Sequence, residues 1–133
     1  EMKKIQSQST SNPNSIAQAA ATAALNGEQK FLKESNIIFK ERHDFVYNKL
    51  KNIEGIRCVP SDGTFYIFPD MNTLIEKKYG INNDIELAEF FLEKAEVAMV
   101  PGSAFGVPGC MRISFATSMK NIQEALNRIS SVV

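Results

Sequence analysis

The chain has 133 residues, of which 44% are apolar and 23% are charged, and its 15 basic side chains balance its 15 acidic ones. This composition is that of a single globular domain, and it argues against a disordered chain or a coiled coil. The zero net charge provides no overall cationic field for nucleic acid or an acidic membrane, and no apolar run reaches the length of a membrane span.

Two helices are predicted first. After a polar turn over residues 9–13, Asn12 is the expected N-cap and Pro13 the first residue of an alanine-rich helix that stops at Asn26-Gly27. Because an alanine face buries little apolar surface, this helix is expected to lie against a partner surface. A long amphipathic helix follows over residues 28–53, about 39 Å in length, as is typical of a helix that links two parts of a protein.

The pattern then changes to that of short strands. Ile56–Val59 and Thr64–Phe68 are predicted to form a hairpin, closed by a turn over residues 60–63 that contains an Asp-Gly pair. A loose connection over residues 72–83 follows, with a break at Lys77 to Gly80.

The last part predicts two helices and two strands. Asp84 is the expected cap of a helix that reaches Lys94, Val97–Val100 and Met111–Ala116 are the strands, and Ser118 caps the final helix. The order of the elements indicates an α+β fold in which a small antiparallel or mixed sheet is covered by helices.

Arg112 is the candidate functional residue in this part. It stands in an otherwise core-like strand, after a loop that contains Gly102 and Gly106, which let the backbone turn sharply and approach a ligand. Arginine is almost never fully buried without a partner. It either points to water from an edge strand, the reading that periodicity alone favours, or holds a carboxylate with its planar guanidinium.

Other polar residues are given no functional role. His43, the single histidine, is predicted to be solvated on the polar side of the long helix, and no nucleophile motif or metal-ligand spacing surrounds it. Cys58 and Cys110 stand far apart, which favours two reduced thiols over a zinc site or a disulfide framework. With no hydrophobic N-terminal stretch, the protein is expected to be soluble and cytoplasmic.

Five motifs follow one another along the chain. They are Ile5–Pro13 (IQSQSTSNP), Gln18–Ala20 (QAA), Asp62–Tyr66 (DGTFY), Val100–Gly106 (VPGSAFG) and Met111–Ala116 (MRISFA). In this order and spacing they resemble the last part of class I aminotransferases that use pyridoxal phosphate. The first motif is similar to bacterial aspartate aminotransferases of the subgroup that includes the prephenate aminotransferases.

The resemblance implies the C-terminal part of a fold-type I pyridoxal-phosphate-dependent transferase. Residues 1–27 would be a remnant of the edge of the large domain, and residues 28–133 the small C-terminal domain with its linking helix. The whole enzyme would transfer an amino group from L-aspartate to 2-oxoglutarate, as a homodimer without nucleic acid or membrane partners. The N-terminus enters in the middle of a pattern, so the chain is expected to lack the large domain.

The resemblance also assigns site residues. Arg112 would hold the α-carboxylate of the substrate, Phe65 would lie near the substrate, and the turn before Pro13 would approach the active site across the dimer interface. The lysine that forms the Schiff base and the other cofactor contacts would lie upstream of Glu1. Lys3 and Lys4 do not replace that lysine, so the chain by itself is expected to be inactive and without bound cofactor.

Three other interpretations stay open at this point. An aminotransferase-like domain can serve as the effector sensor of a transcription regulator, in which case a DNA-binding module would precede it. A prephenate or aromatic aminotransferase would share the same motifs. A free-standing α+β binding module is the third, although it leaves the alanine-rich helix without a partner surface.

Overall fold

The computed structural model describes residues 1–10, 12–77 and 80–133 of the chain. They form two compact units, Glu1–Ser35 and Asn36–Val133, and the division between them falls within a helix. No helix in these ranges is both long enough and apolar enough to cross a membrane.

The first unit contains helix α1 (Met2–Ser9), which the sequence analysis did not predict, and helix α2 (Ser15–Asn26). The N-cap of α2 is Asn14, whose side chain accepts a hydrogen bond from the backbone N–H of Ala17 at 2.8 Å. The expected cap at Asn12 was therefore wrong by two residues. The predicted stop is confirmed, since α2 ends at Asn26 with Gly27 as its C-cap.

Helix α3 (Lys30–Leu50) contains the division between the two units, and three shorter α-helices follow it in the described residues. These are α4 (Asn72–Lys77), α5 (Asp84–Ala95) and α6 (Met119–Val132). The long amphipathic helix is confirmed but is shorter at both ends than residues 28–53. The predicted loose connection contains α4 instead, and the break predicted after it includes residues 78 and 79, which lie outside the described residues.

A three-stranded antiparallel sheet lies at the centre of the second unit. Its strands are β1 (Tyr66–Ile67), β2 (Val100–Pro101) and β3 (Met111–Ser114), and β3 lies between the other two. The predicted hairpin is wrong, because β1 pairs with β3 rather than with residues 56–59. Arg57 instead exchanges backbone hydrogen bonds with Asp70, at 2.9 and 2.8 Å.

The core of the second unit packs the helices against this sheet. Its fully buried members include Leu50, Ile67, Leu87, Phe91, Met111 and Ile129. Ser118 caps α6 as predicted, and Ile122, Leu126 and Ile129 form its buried stripe. The α+β fold with a small antiparallel sheet is thereby confirmed.

Candidate functional site

Arg112 lies on the central strand of the sheet, on the face opposite the core. Its neighbour Met111 is fully buried, and because side chains alternate along a strand, Arg112 points to the other side. The register places Arg112 opposite Val100 of β2, and Tyr66 of β1 opposite Ser114, so Tyr66 shares the face of Arg112. Arg112 is therefore half-buried on a central strand, not solvated on an edge strand.

Two aromatic rings flank the guanidinium of Arg112. Its Cζ lies 4.8 Å from the centroid of the Phe105 ring and 5.7 Å from that of Tyr66. Both distances are within the range of cation–π attraction. The rings lie beside the guanidinium, and its five N–H donors in a planar fork are suited to a planar anion.

The described residues supply no carboxylate to Arg112. No aspartate or glutamate oxygen lies within 4.0 Å of its guanidinium in residues 1–10, 12–77 and 80–133, whereas Arg128 pairs with both Glu96 and Glu124. A half-buried arginine held between aromatic rings, on a strand face without a carboxylate partner in that part of the chain, has the chemistry of a carboxylate site.

The glycine-rich loop presents Phe105 to Arg112. Residues Gly102–Phe105 form a 3-10 turn that Gly106 ends in the left-handed conformation, with φ +76°. A Cβ at Gly102 would collide with the backbone carbonyl oxygen of Val107, so only glycine fits this turn. The glycines of this motif thus give the backbone the turn that places the Phe105 ring beside Arg112.

Asp84 anchors this loop from helix α5. Its carboxylate is buried and accepts the backbone N–H of Ser103 at 2.6 Å. The sequence analysis expected Asp84 to cap α5, but Asn83 is the cap and accepts the N–H of Glu86. Asp84 holds the loop, because a buried carboxylate needs donors and the turn offers one.

Phe65 immediately precedes β1 and is the chain neighbour of Tyr66, which flanks Arg112. Its ring is about half exposed and meets Tyr66 edge-on at 5.5 Å, so Phe65 and Arg112 contact the same tyrosine. The carbonyl of Phe65 accepts the N–H of Phe115 at 2.9 Å. Thr64, just before it, has φ +72°, a conformation that costs energy for a β-branched residue.

His43 is buried, which contradicts the expectation of a solvated histidine. Its ring contacts Tyr47 and Phe115, and its two nitrogens lie 3.0 Å from the Ser61 nitrogen and from Asp44 Oδ1. The helical spacing carried a usable signal, because His43 is four residues after Phe39 and three before Val46, on the apolar face of α3.

The two thiols are free, as the sequence predicts. Burial raises the pKa of Cys58 to about 11, and it also raises the pKa of Cys110, with Asp70 and Asp84 adding to that rise. Both sulfurs therefore stay protonated at neutral pH and are poor nucleophiles. The described residues contain no group of three or more His, Cys, Asp and Glu side chains that could hold a metal ion.

Comparison with known proteins decides the family. The profile described as "Aminotransferase class I and II" matches residues 1–129. The chain belongs to the class I and II aminotransferases. This aminotransferase chain is 53% identical, over 99% of its length, to "Aspartate/prephenate aminotransferase" of Nitrosomonas europaea. It is 46% identical to "Aspartate aminotransferase" of Rhizobium meliloti (strain 1021), over 98% of its length.

Solved structures agree with these sequence relatives. The aspartate aminotransferase of Rhizobium meliloti superposes on 98% of this chain with a TM-score of 0.85 and 45% identity, and the chain covers 34% of it. The aspartate aminotransferase of Thermotoga maritima covers 97% of this chain, with a TM-score of 0.77 and 41% identity. The aminotransferase chain spans about a third of the length of its relatives, and its fold is that of the fold-type I aminotransferases.

Proposed function

We propose that the chain is the C-terminal part of an aspartate aminotransferase in which Arg112 binds the α-carboxylate of the amino-acid substrate. The full-length protein, meaning a polypeptide of the relatives' length that contains these 133 residues, would transfer the amino group of L-aspartate to 2-oxoglutarate. The observation that carries the proposal is the half-buried guanidinium between Tyr66 and Phe105, with no carboxylate partner among the described residues.

The role of Arg112 follows from its geometry. Between these two rings, the guanidinium can offer two parallel N–H donors to the two oxygens of one carboxylate. Such a contact fixes the direction of the bond from the carboxylate to Cα, so the reacting carbon is oriented before the chemical step. Arg112 binds and aligns the substrate and takes no part in proton transfer.

Phe65 is the second proposed substrate contact. It precedes the tyrosine that also flanks Arg112, and its ring is about half exposed. A ring in this place can cover the substrate against water without contributing a charge.

Pyridoxal phosphate, the cofactor that the family uses, is placed by this proposal in the rest of the full-length protein. The cofactor requires a lysine for its covalent attachment and donors for its phosphate. The side-chain contacts described around Arg112 are with aromatic rings and include no lysine, so this site fits one carboxylate and not the cofactor. No residue of the chain is assigned to cofactor binding.

The domain arrangement is part of the same proposal. Residues 1–27 would form the edge of a larger domain, and residues 28–133 the smaller domain, in a cytoplasmic homodimer. Support comes from α2, in which no residue is buried and Ile16 and Leu25 are 80% and 79% exposed. An apolar helix of this kind gains stability by docking on a further surface.

A second substrate is favoured by one of the relatives. The Nitrosomonas europaea protein carries prephenate beside aspartate in its name, and it is 53% identical to this chain. We include prephenate as a candidate amino-group acceptor of the full-length protein. The interpretation as a transcription-regulator sensor is not favoured, since the relatives named above are aminotransferases.

The experiment measures kcat/KM of the full-length protein for L-aspartate, with 2-oxoglutarate or prephenate as the acceptor. Arg112→Ala should lower kcat/KM by about 100-fold or more, because two charge-assisted hydrogen bonds are lost. Arg42→Ala is the matched control, since Arg42 is also half-buried and lies 5.5 Å from the Phe39 ring, and it should leave kcat/KM within about twofold. An inactive wild type, or equal losses in both variants, would overturn the proposal.

A further inference from the structure

His43 occupies a polar position inside an aromatic cluster. Its ring is stacked on Tyr47, with ring centroids 6.3 Å apart, and meets Phe115 edge-on at 5.9 Å. Phe115 is fully buried, and His43 is 9% exposed. A buried imidazole keeps its place at low cost only when both nitrogens have partners, and the partners of His43 determine where its proton lies.

The donors and acceptors around the ring fix one tautomer. The backbone N–H of Ser61 can only donate, so Nε2 of His43, 3.0 Å away, accepts. Nδ1 therefore carries the proton and donates to Oδ1 of Asp44 at 3.0 Å. Lys40 also binds this carboxylate, at 3.0 and 3.2 Å, and holds it in place. His43 is thus a neutral imidazole with an oriented acceptor.

The acceptor holds one end of the loop over residues 61–65, and the same cluster holds the other end. Ser61 donates to His43, while the carbonyl of Phe65 accepts the N–H of Phe115, whose ring packs on His43. Between the two anchors lies Thr64 with its φ of +72°. A strained residue persists only where the surrounding structure fixes its neighbours.

Packing alone does not fix this loop on helix α3. A cavity of about 650 Å³ lies between them, lined on one side by Asn36, Phe39 and Lys40 and on the other by residues 61–65. At the Ser61 end of the loop, its backbone N–H donates to Nε2 of His43 on α3, and among the described residues this is the hydrogen bond that joins the loop to the helix. At the Ser61 end, the position of the loop relative to α3 therefore depends on the Nε2 acceptor of His43.

We propose that His43 is a positioning residue for substrate binding. By accepting the Ser61 N–H, its Nε2 holds the loop that sets Phe65 against Tyr66, the tyrosine that also flanks Arg112, and Asp44 keeps the required tautomer. The kinetic part of this inference rests on the proposed function, in which Phe65 and Arg112 contact the substrate. The structural part does not depend on it.

Two substitutions of His43 distinguish the role of the Nε2 acceptor from that of the Nδ1 donor. In His43→Gln the amide oxygen reaches the position of Nε2, so an acceptor for Ser61 is kept and the bond to Asp44 is lost. In His43→Asn the shorter amide replaces Nδ1, so the bond to Asp44 is kept and the acceptor for Ser61 is lost. Both are neutral amides, and they differ in which partner they keep.

The test uses the full-length protein and two measurements. Amide hydrogen exchange at Ser61 should be slow in the wild type and in His43→Gln, and at least about tenfold faster in His43→Asn, where its acceptor is missing. KM for L-aspartate should rise about tenfold in His43→Asn with kcat within about threefold, and His43→Gln should restore it.

The outcomes distinguish the two claims. If the glutamine and asparagine variants behave alike at Ser61, or if asparagine retains more protection than glutamine, the acceptor atom is not what holds the loop and the inference is overturned. If Ser61 responds as expected while the wild type transfers no amino group from aspartate, the positioning of the loop stands and the proposed function fails. If Ser61 responds but KM does not, His43 is structural only, and its role in substrate binding is rejected.

Discussion

At the scale of single residues, the sequence marked Arg112 as a candidate site residue and predicted the wrong burial for His43. The alternation of a strand and the spacing of a helix decide which way a side chain points, but only when the element and its register are known. Arg112 drew attention because an arginine is unusual in an apolar run. His43 was judged by its charged neighbours Arg42 and Asp44 rather than by its spacing from Phe39, which places it inside.

The hydrogen bonds of Asp44 predict how the stability of the fold depends on pH. Hydrogen bonds from His43 and then from Lys40 lower the pKa of Asp44 below its ordinary value of 3.8. A carboxyl group with a lowered pKa stabilises the fold above the unfolded value and loses that contribution as the pH falls through the folded value. The free energy of unfolding of the chain should therefore decrease more steeply below about pH 4 in the wild type than in Asp44→Asn.

Urea unfolding at a series of pH values measures this difference. Asp62→Asn is the control, because Asp62 is exposed and makes no ion pair among the described residues. It should leave the acid dependence unchanged. Identical pH profiles for the wild type and Asp44→Asn would contradict the link between Asp44, His43 and Lys40.

At the scale of elements, helices were predicted better than strands. Helices α3, α5 and α6 carry repeated apolar spacing over three or more turns, and this spacing is a local signal. The strands have two to four residues, and β1 pairs with β3, almost fifty residues later in the chain. A short strand has too few alternations to specify a partner, so the sequence favoured the nearest one and predicted a hairpin that does not form.

The sequence and the structure assign different N-cap residues to α2, Asn12 and Asn14 respectively, and mutation can distinguish them. Asn14→Ala removes the side-chain oxygen that accepts the Ala17 N–H and should destabilise the helix by about 1 kcal/mol. Asn12→Ala is the matched control, because Asn12 was the cap expected from the Asn-Pro pair and is not the cap in the structure. Hydrogen exchange at Ala17 should accelerate in Asn14→Ala alone, and faster exchange in Asn12→Ala would restore the sequence interpretation.

At the scale of the whole molecule, the fold class and the family followed from motifs distributed along the chain. The element order indicated α+β, and the resemblance carried the fold-type I assignment, which the structural neighbours support at TM-scores of 0.85 and 0.77. The strand order and the loop anchors at Asp84 and His43 could not be read from the sequence, since they depend on contacts between residues 18 or more positions apart. Such contacts leave no local pattern.

The central claim is that Arg112 recognises the α-carboxylate of the substrate, and a double-mutant cycle measures that contact directly. The cycle compares kcat/KM of the wild type and Arg112→Ala in the full-length protein, for L-aspartate and for its α-carboxamide analogue L-isoasparagine. We expect the substitution to lower kcat/KM about 100-fold for aspartate and less than about threefold for isoasparagine, because the analogue lacks the charge that Arg112 binds. An equal loss for both substrates would contradict the claim, since Arg112 would then act without contacting the α-carboxylate.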